Sequence, residues 1–436
     1  MVTLPDIINE RNLLSACSRV MQNEGAPGID GMRTEELFAW LVHHWKELQA
    51  KVVDGSYRPE AVRRVEIPKP NGGVRQLGIP TVIDRMLQQS IAQELDKHYD
   101  STFSETSYGF RCGRSTHDAL ERAQQYLNEG NDYIIEIDLE KFFDRVNHDR
   151  LMSRLSQRIT DKGVLRLIRR YLTCGVMENG VRREVTEGTP QGGPLSPILS
   201  NIVLDELDKE MESRGLRFVR YADDISIFVG SQRAAERVLA GITEWIENRL
   251  KLRVNRAKSG IRRPGNGQLL GFGFWHGKGG EIRPRVSEKS YKRLTDKIRK
   301  VTSRSLPISM DERISKLMQI TRGWVNYFAH ADAKKRLQRI EEWTQARLRM
   351  CIWKQWKRIR TRIAALRKLG VSKHKAYEWG NTRKGYWRIA HSPIMHTTIT
   401  CERLKQKGYI PLTEMYARRR KTLMNRRDTR PVRPVV

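Results

Sequence analysis

Two short apolar stretches that carry aspartates place the strongest constraint on the fold of this chain. Residues 133–138 are apolar and end at Asp138, and residues 216–229 contain two apolar runs separated by Tyr221-Ala222-Asp223-Asp224. Apolar runs of about 4–8 residues bounded by turn-forming residues are typical of buried strands. The pattern therefore predicts one strand and one hairpin with carboxylates at their ends. Taken alone, Asp223 and Asp224 have an equally simple interpretation as turn residues, because aspartate favours turns.

The other patterns in the first 285 residues alternate between strands and helices. Gly72-Gly73 separates two runs with a basic face, which is typical of a hairpin. Ser196-Pro197 follows a glycine-rich loop and is typical of a helix N-terminus with serine as the N-cap. The predicted strands are 62–67, 74–79, 133–138, 139–146, 216–220 and 225–229, and the predicted helices are 37–53 and 82–99. The sequence therefore predicts an α+β body.

After residues 275–280, which are rich in glycine and which we interpret as a hinge, the pattern becomes helical almost throughout. We place the domain boundary near residue 285. In the helical part Lys354, Arg358 and Arg362 recur at four-residue steps, which predicts one basic helix face. The residues that fit an apolar stripe on another face are Leu337, Ile340, Leu348, Ile352 and Ile359.

The charge of the chain is concentrated in its last third. Lys and Arg total 81 against 50 for Asp and Glu, which gives a net charge of +31 and an isoelectric point of about 10.2. Residues 286–436 contain 39 basic and 11 acidic residues, and the first 285 contain 42 and 39. An isoelectric point above about 9 is the usual electrostatic signature of nucleic-acid binding. The sequence therefore predicts a nearly neutral body joined to an arm that binds a polyanion.

Several classes of protein are disfavoured by composition. No apolar stretch approaches the roughly 18 residues needed to span a bilayer, and the first residues lack the features of a signal peptide. The five cysteines are far apart and form no C-x-x-C pair for zinc or redox chemistry. We therefore expect a soluble, cytoplasmic protein with no membrane partner.

The carboxylates at the strand ends are suited to nucleotidyl transfer. Two divalent ions about 3.5–4 Å apart can activate a primer 3′-hydroxyl and stabilise the leaving pyrophosphate, which requires carboxylates converging from neighbouring strands. Mg²⁺ prefers a few protein carboxylates together with phosphate oxygens of the substrate. Two or three aspartates would be sufficient for this chemistry, and the candidates are Asp138, Asp223 and Asp224.

A series of short motifs in a fixed order extends this interpretation. The motifs are Glu24-Gly25-Ala26-Pro27-Gly28-Ile29-Asp30-Gly31, Ile67-Pro68-Lys69-Pro70, Tyr108-Gly109-Phe110-Arg111, Ile137-Asp138-Leu139-Glu140-Lys141-Phe142-Phe143-Asp144, Gly188-Thr189-Pro190-Gln191-Gly192-Gly193-Pro194-Leu195-Ser196-Pro197, Tyr221-Ala222-Asp223-Asp224, Leu270-Gly271-Phe272 and Asn381-Thr382-Arg383-Lys384-Gly385. In these motifs the sequence resembles the reverse transcriptases encoded by bacterial group II introns, most closely the compact class C type. The resemblance covers nearly the whole chain.

This resemblance implies a right-hand polymerase fold of the α+β class. It implies fingers and a palm with an antiparallel sheet at residues 1–285 and an α-helical thumb, or X maturase domain, at 286–368. Residues 369–436 resemble the family's small basic DNA-binding region and end in a tail that we expect to be disordered. No pattern of paired cysteines and histidines follows, so we expect no endonuclease domain and priming from pre-existing 3′ ends.

The resemblance also implies roles for individual residues. Asp138, Asp223 and Asp224 correspond to the catalytic residues that bind two Mg²⁺ ions. Gly271 and Phe272 correspond to the turn that grips the primer. The residues implied in dNTP binding are Lys69, Arg75, Phe143, Gln191 and Lys258.

Three of these implied roles have structural alternatives. Lys69 and Arg75 would neutralise the triphosphate, unless they lie on a solvated basic hairpin. Phe143 would collide with a ribonucleotide 2′-hydroxyl and so select dNTPs, unless it is a core aromatic. Gln191 would contact the nucleotide, unless it is an ordinary loop residue.

The basic arm is implied to bind nucleic acid through Lys354, Arg358, Arg362, Arg383 and Lys384. Most of its tryptophans are expected to pack between helices, and some could stack on unpaired bases. The tryptophans in question are Trp324, Trp343, Trp353, Trp356, Trp379 and Trp387.

The leading hypothesis is an RNA-directed DNA polymerase that copies group II intron RNA into DNA and assists splicing as a maturase. Its partners would be the intron RNA, an RNA template with a DNA primer, target DNA and dNTPs. One alternative is a chiefly non-catalytic RNA-binding splicing factor, which the intact aspartates disfavour. The other is a domesticated reverse transcriptase in defence or repair.

Overall fold

The computed structural model describes residues 2–68, 73–277 and 279–428. The chain separates into two units, residues 1–267 and 268–436. The first unit combines helices with two sheets, and the second is mainly helical with one small sheet. The α+β class predicted from the sequence is confirmed. In the described ranges no helix is both long and apolar enough to cross a bilayer.

The first unit contains nine described α-helices and eight described strands. The helices are α1 (Leu4–Ile7), α2 (Glu10–Gln22), α3 (Leu37–Val53), α4 (Val82–Tyr99), α5 (Thr116–Asn128), α6 (His148–Ser156), α7 (Lys162–Thr173), α8 (Ser196–Ser213) and α9 (Gln232–Trp245). The strands are β1 (Val62–Pro68), β2 (Val74–Ile79), β3 (Tyr133–Asp138), β4 (Val176–Glu178), β5 (Val181–Arg183), β6 (Arg217–Tyr221), β7 (Asp224–Val229) and β8 (Gly260–Arg262).

The central sheet of the first unit has the order β6-β7-β3-β8, and every neighbouring pair is antiparallel. Ile135 and Ile137 on β3 are buried in the core, while Glu136 and Asp138 alternate with them and are only half-buried. This period of two is the side-chain alternation of a strand. The sheet therefore turns one face to the hydrophobic core and keeps Asp138 accessible.

A second sheet in the first unit has the order β2-β1-β4-β5. Strand β1 is antiparallel to β2 and parallel to β4. Asn179 and Gly180 form the two-residue loop between β4 and β5, with φ angles of 52° and 81°. Two positive φ angles are typical of the hairpin turn that Asn-Gly favours. The sequence analysis did not predict this hairpin.

The second unit contains a three-stranded sheet of order β11-β10-β9 and nine described helices. The strands are β9 (Gln268–Leu269), β10 (Phe272–His276) and β11 (Ile282–Val286). The helices are α10 (Glu288–Val301), α11 (Met310–Phe328), α12 (Lys334–Gln355), α13 (Ile359–Lys368), α14 (Lys373–Gly380), α15 (Tyr386–Ala390), α16 (Pro393–Thr398), α17 (Cys401–Gln406) and α18 (Leu412–Asp428).

Several elements predicted from the sequence coincide with the structure. Helices α3 and α4 and strands β2 and β3 have the predicted bounds, and β1, β6 and β7 differ from the prediction by one residue at one or both ends. Helix α8 begins at Ser196 as its first helical residue, so the N-cap prediction was wrong by one position. The Ser196 hydroxyl donates to the Pro190 carbonyl oxygen at 2.6 Å instead of capping the helix.

Residues 139–146 do not form the predicted strand. Lys141 adopts a left-handed conformation with φ of 48°, and Phe142–Asp144 form a turn of 3₁₀ helix. A strand cannot continue through a left-handed residue, so the apolar content of this segment reflects burial of side chains such as Phe142 and not an extended backbone. The predicted strand was therefore wrong.

The predicted hinge at residues 275–280 contains the end of β10 and part of its connection to β11. Gly277 N–H donates to the Glu281 carbonyl oxygen at 2.7 Å, as in a hairpin. The predicted domain bounds of 1–285, 286–368 and 369–436 stay a prediction. The tail at residues 430–434, expected to be disordered, lies outside the described residues.

The predicted basic helix face in the arm is interrupted. Helix α12 ends at Gln355 and α13 begins at Ile359, so Lys354, Arg358 and Arg362 do not lie on one continuous helix. The members of the predicted apolar stripe that lie on α12 are buried, whereas Ile359 is 49% exposed. The apolar periodicity thus predicted the buried face of α12 correctly, but it did not predict that the helix ends at Gln355.

We expect Leu204→Ala in α8 to lower the free energy of unfolding by about 2–5 kcal/mol. Leu204 has no exposed surface and belongs to the core of the first unit, so the shortened side chain would leave a cavity. Urea denaturation measures this change. Val42→Ala on α3, at a position that is 62% exposed, is the control and should change stability by no more than about 0.5 kcal/mol. Equal effects of the two variants would contradict the described core.

Candidate active site

Three carboxylates lie at one end of the central sheet. Asp138 is the last residue of β3 and Asp224 the first of β7, and the two are directly opposite each other in the antiparallel register. Asp223 lies beside them in the two-residue loop that joins β6 to β7. Opposite residues in an antiparallel pair have their Cβ atoms about 4.5–5.5 Å apart. The structure thus brings together the three aspartates singled out in the sequence.

Lys258 provides a cation that contacts the first aspartate. Its Nζ lies 3.3 Å from the Asp138 Oδ2, and its side chain is 68% exposed. The segment that carries it is fixed to the end of β3, because Asn255 N–H donates to the Asp138 carbonyl oxygen at 2.8 Å and Asp138 N–H donates to Ser259 Oγ at 3.0 Å. Lys258 is therefore positioned to act as a counter-ion for this carboxylate.

The electrostatics of the site oppose the ionised form of two aspartates. Burial raises the pKa of the Asp223 carboxyl, and the Asp138 carboxylate raises it further. Loss of hydration, followed by repulsion from Asp223, Asp138 and Glu136, raises the pKa of Asp224 to about 6. The negative charge of the three aspartates is thus only partly compensated by the cations of the surrounding protein.

This donor set fits a divalent magnesium ion. Carboxylate oxygens are hard ligands, and Mg²⁺ uses one or two of them together with water and phosphate oxygens. The described residues contain no ready-made cluster of three or more His, Cys, Asp or Glu side chains that could hold a metal on their own. Oxygen atoms from a bound nucleotide would therefore have to complete the coordination.

The glycine-rich loop at residues 188–195 packs beside the segment that follows Asp138. Thr189 N–H donates to the Phe143 carbonyl oxygen at 2.6 Å, and Gln191 Nε2 donates to Asp144 Oδ1 at 3.3 Å. Phe142 is buried in the core, whereas Phe143 is half-buried and meets it edge-on at 5.2 Å between ring centroids. Phe142 therefore fills a core position, and the Phe143 ring packs against the same core while it stays partly exposed.

The β1–β2 hairpin is linked to the same loop. Gly78 N–H on β2 donates to the Gln191 carbonyl oxygen at 2.8 Å. Arg75, also on β2, is exposed, and its positive charge lowers the pKa of Asp223. Arg75 is therefore within electrostatic range of the carboxylates. Lys69, the other predicted triphosphate ligand, lies outside the described residues.

The predicted primer-grip residues lie in the second unit. Gly271 has φ of 85°, and its carbonyl oxygen accepts from Ser287 N–H at 3.1 Å and Ser290 Oγ at 3.0 Å. Phe272 is fully buried, with its ring 5.0 Å from that of Phe328. A contact of this turn with a primer would therefore have to come from its backbone, because the Phe272 side chain belongs to the core.

The predicted nucleic-acid-binding residues of the arm differ in their surroundings. Lys354 Nζ lies 5.1 Å from the centroid of the Tyr386 ring, and Arg362 donates from Nε to the Trp356 carbonyl oxygen at 3.0 Å. Arg358, Arg383 and Lys384 are exposed. The first two cations are thus held by neighbouring groups, while the other three side chains face solvent.

Residues that support the Asp223 loop were missed in the sequence analysis. Arg220 on β6 and Asp208 on α8 form an ion pair without exposed side-chain surface. The signal was Arg220 beside the apolar residues of β6, because a buried charge requires a partner. Asp208 lies among other charged residues of α8, so nothing in the sequence singles it out. The sequence alone could not say that the two would meet.

Comparison with known proteins supports this description. A family model for reverse transcriptase (RNA-dependent DNA polymerase) matches residues 67–274, and a model for the group II intron maturase-specific domain matches residues 291–370. Protein YkfC of Escherichia coli is 32% identical over 305 residues, which cover 61% of this chain and 80% of YkfC.

Two further similarities are more partial. The group II intron-encoded protein LtrA of Lactococcus lactis is 37% identical over 206 residues, which cover 47% of this chain and 34% of LtrA. Among solved structures, a partial Cas6-RT-Cas1–Cas2 complex is similar at a TM-score of 0.37 and 25% identity, over 57% of this chain and 43% of that chain. This chain thus spans about a third of LtrA.

The fold and the carboxylate site define a reverse transcriptase, in which the central sheet is the palm. The chain belongs to the family of group II intron-encoded reverse transcriptases and maturases. The predicted right-hand polymerase fold with an antiparallel palm sheet and a helical C-terminal region is confirmed. The assignment to class C stays a prediction.

We expect Asp224→Asn to stabilise the metal-free protein above pH 6. Because the folded-state pKa of Asp224 is raised from 3.8 to about 6, the wild-type protein loses stability as the pH rises through this interval, and the variant does not. The gain should be on the order of 1 kcal/mol at pH 8 after solvent screening, and should vanish near pH 4. Thermal unfolding in EDTA between pH 4 and 8 measures it.

Asp149→Asn is the matched control, because the Asp149 side chain is 85% exposed and lies on α6. We expect no such gain for it. A stability difference between Asp224→Asn and wild type that does not change with pH would contradict the electrostatic account.

Proposed function

We propose that this chain is an RNA-directed DNA polymerase that copies group II intron RNA into DNA and assists splicing of that RNA as a maturase. The observation that carries the proposal is the register of the palm sheet, which sets Asp138 opposite Asp224 and next to Asp223. An RNA-binding clamp would have no need of clustered carboxylates, since these repel phosphates. The carboxylates therefore favour the polymerase over the non-catalytic splicing factor.

In this proposal Asp138 and Asp223 hold two Mg²⁺ ions, with Asp224 as the third carboxylate. The ions, when bound, supply activation of the primer 3′-hydroxyl and stabilisation of the leaving pyrophosphate. The pKa values of Asp223 and Asp224 are raised because their ionised forms are disfavoured in the metal-free site. A bound divalent cation would neutralise this negative charge. Lys258 neutralises part of the same charge through its contact with Asp138.

The dNTP would lie between the β1–β2 hairpin and the glycine-rich loop. Arg75 offers a guanidinium fork to the triphosphate, and by resemblance Lys69 offers a point charge. Gln191 lies in the loop that is hydrogen-bonded to both the hairpin and the Phe143 segment. Phe143, half-buried beside that loop, would exclude a 2′-hydroxyl and so select deoxynucleotides.

The second unit would bind the nucleic acids through its excess of basic residues. Arg358, Arg383 and Lys384 would neutralise phosphates from exposed positions, with Lys354 and Arg362 beside aromatic rings. The turn at Gly271 and Phe272 would grip the primer. The partners would be the intron RNA, an RNA template with its DNA primer, and target DNA. The maturase role is supported by the match over residues 291–370.

We expect Asp223→Asn to abolish DNA synthesis while RNA affinity changes less than about twofold. The substitution removes a metal ligand but leaves the basic residues of the second unit intact. The measurement is dNTP incorporation on a primed RNA template with Mg²⁺ at matched RNA occupancy. Asp149→Asn should retain activity. Equal loss of synthesis and RNA binding in Asp223→Asn would contradict the separation of roles, and absence of synthesis by the wild-type protein would contradict the proposed function.

We expect Trp387 to stack on an unpaired base. Of the six tryptophans between residues 279 and 428, it is the exposed one, at 42%, whereas Trp353 is 1% exposed. Trp387→Ala should weaken single-stranded RNA binding by about 1–3 kcal/mol without changing its salt dependence. Arg383→Gln should instead lower the slope of log affinity against log salt by roughly 0.7–1. Fluorescence anisotropy titrations at several salt concentrations measure both quantities, and interchanged effects would contradict the assignment.

A further inference from the structure

A fully buried ion pair lies beneath the loop that carries Asp223. Arg220 on β6 donates from Nε to Asp208 Oδ1 at 2.7 Å and from Nη2 to Asp208 Oδ2 at 2.5 Å, and both side chains have no exposed surface. Removing two charges from water is costly, and a buried ion pair is by itself weak support for a stabilising role. The pair therefore calls for an explanation beyond the stability of the fold.

The remaining donor of Arg220 reaches the loop itself. Nη1 donates to the Ala222 carbonyl oxygen at 3.1 Å and to Asn201 Oδ1 at 3.0 Å. Ala222 has φ of 57°, a left-handed conformation that is unfavourable for a residue with a Cβ atom. Arg220 thus holds the carbonyl group of a strained residue that directly precedes Asp223.

A separate segment of the chain closes on the same loop. Asn201 Nδ2 donates to the Gly109 carbonyl oxygen at 2.9 Å, and Tyr108 N–H donates to the Arg220 carbonyl oxygen at 2.9 Å. A Cβ atom at Gly109 would lie 2.2 Å from the Ala222 nitrogen. The backbone at Gly109 is therefore pressed against the loop, and only glycine leaves room for this approach.

We propose that Arg220, Asp208 and Asn201 form a clamp that fixes the position of Asp223 for metal binding and nucleotidyl transfer. They are positioning residues, because the contacts that carry the argument are to the Ala222 and Gly109 carbonyl groups and to each other. The clamp rests on the proposed function, since it acts through the same carboxylates. It joins α8 and β6, which are consecutive in the chain, to the segment at 107–109, which is distant from both in sequence.

The physical reason for such a clamp is the repulsion among the carboxylates. Asp223 lies in a short loop next to Asp138 and Asp224, and like charges would drive the loop away from the productive position. Strained backbone persists only where the surroundings over-determine it, and it is concentrated at functional sites. A guanidinium with each of its nitrogens engaged is a rigid support for such a loop.

The test compares two buried asparagines of the first unit. Asn201→Ala removes the hydrogen bonds of the Asn201 side chain to Arg220 and to the Gly109 carbonyl oxygen but keeps the ion pair between Arg220 and Asp208. Asn12→Ala is the matched control, because Asn12 is also buried, donates from Nδ2 to the Ile7 carbonyl oxygen at 3.1 Å and to Ser90 Oγ at 2.7 Å, and accepts from Gln93 Nε2 at 2.6 Å. Each variant loses a buried hydrogen-bond network of similar size.

Three quantities are measured for the full chain: the melting temperature, the affinity for Mn²⁺ by electron paramagnetic resonance, and the single-turnover rate of dNTP addition at saturating RNA and dNTP. We expect Asn201→Ala to lower the rate about 10-fold or more and to weaken Mn²⁺ binding about threefold, with RNA affinity unchanged. Asn12→Ala should lower the melting temperature comparably and change the other two quantities less than about twofold. Rates and Mn²⁺ affinities that fall equally in both variants, or in neither, would overturn the clamp.

A second pair of variants covers the case in which Asn201→Ala does not fold. Gly109→Ala forces a methyl group against Ala222 and should displace the loop from the opposite side, with the same loss of rate and Mn²⁺ affinity. Gly230→Ala, where the nearest atom would be 3.6 Å away, is its control. If wild type adds no nucleotide, the proposed function fails, and the Mn²⁺ affinities still decide the clamp. Absence of Mn²⁺ binding by wild type would overturn both.

Discussion

The antiparallel register of β3 and β7 is the constraint on which the site depends. It sets Asp138 directly opposite Asp224, and a slip of one residue would turn Asp138 to the other face of the sheet, because side chains alternate with a period of two. Ile135 opposite Ile227 fixes that register, since both side chains are fully buried. The hydrophobic core thus determines where the carboxylates lie, although it makes no contact with a substrate.

The site opposes the stability of the fold that holds it. Burial and the Asp138 carboxylate disfavour ionised Asp223, and loss of hydration together with Asp223 and Asp138 disfavours ionised Asp224. Ala222, between β6 and Asp223, has a left-handed backbone. A structure chosen for stability alone would replace these residues with apolar ones and a glycine. The unfavourable negative charge is instead what divalent cations would neutralise, so metal binding would offset the destabilisation.

The sequence predicts those parts of the fold that depend on local pattern and misses those that depend on contacts between distant residues. The periodicity of residues 82–99 sufficed for α4, and the apolar run ending at Asp138 sufficed for β3. The strand predicted for 139–146 failed because a left-handed Lys141 ends the extended backbone, which composition does not reveal. The aspartates were found because each lies in a short contiguous motif at the end of an apolar run. Arg220 and Asp208 were not, because a buried ion pair is defined by two elements whose packing no single motif encodes.

The second unit uses its aromatic residues in a way that the sequence left open. Trp343 has Arg347 at 5.2 Å and Arg299 at 5.7 Å from its ring, and Tyr386 is likewise flanked by two cations. A cation over an aromatic face is attracted by the ring quadrupole, which helps to restrain it. Arg347 is held in addition by hydrogen bonds to Thr302 Oγ1 at 2.6 Å and to the Arg299 carbonyl oxygen at 3.1 Å. Since a restrained cation loses less conformational entropy when it meets a phosphate, these rings would strengthen binding without touching a base. In the proposed function, half-buried tryptophans such as Trp343 would therefore support the arginines, and we expect base stacking from the exposed Trp387.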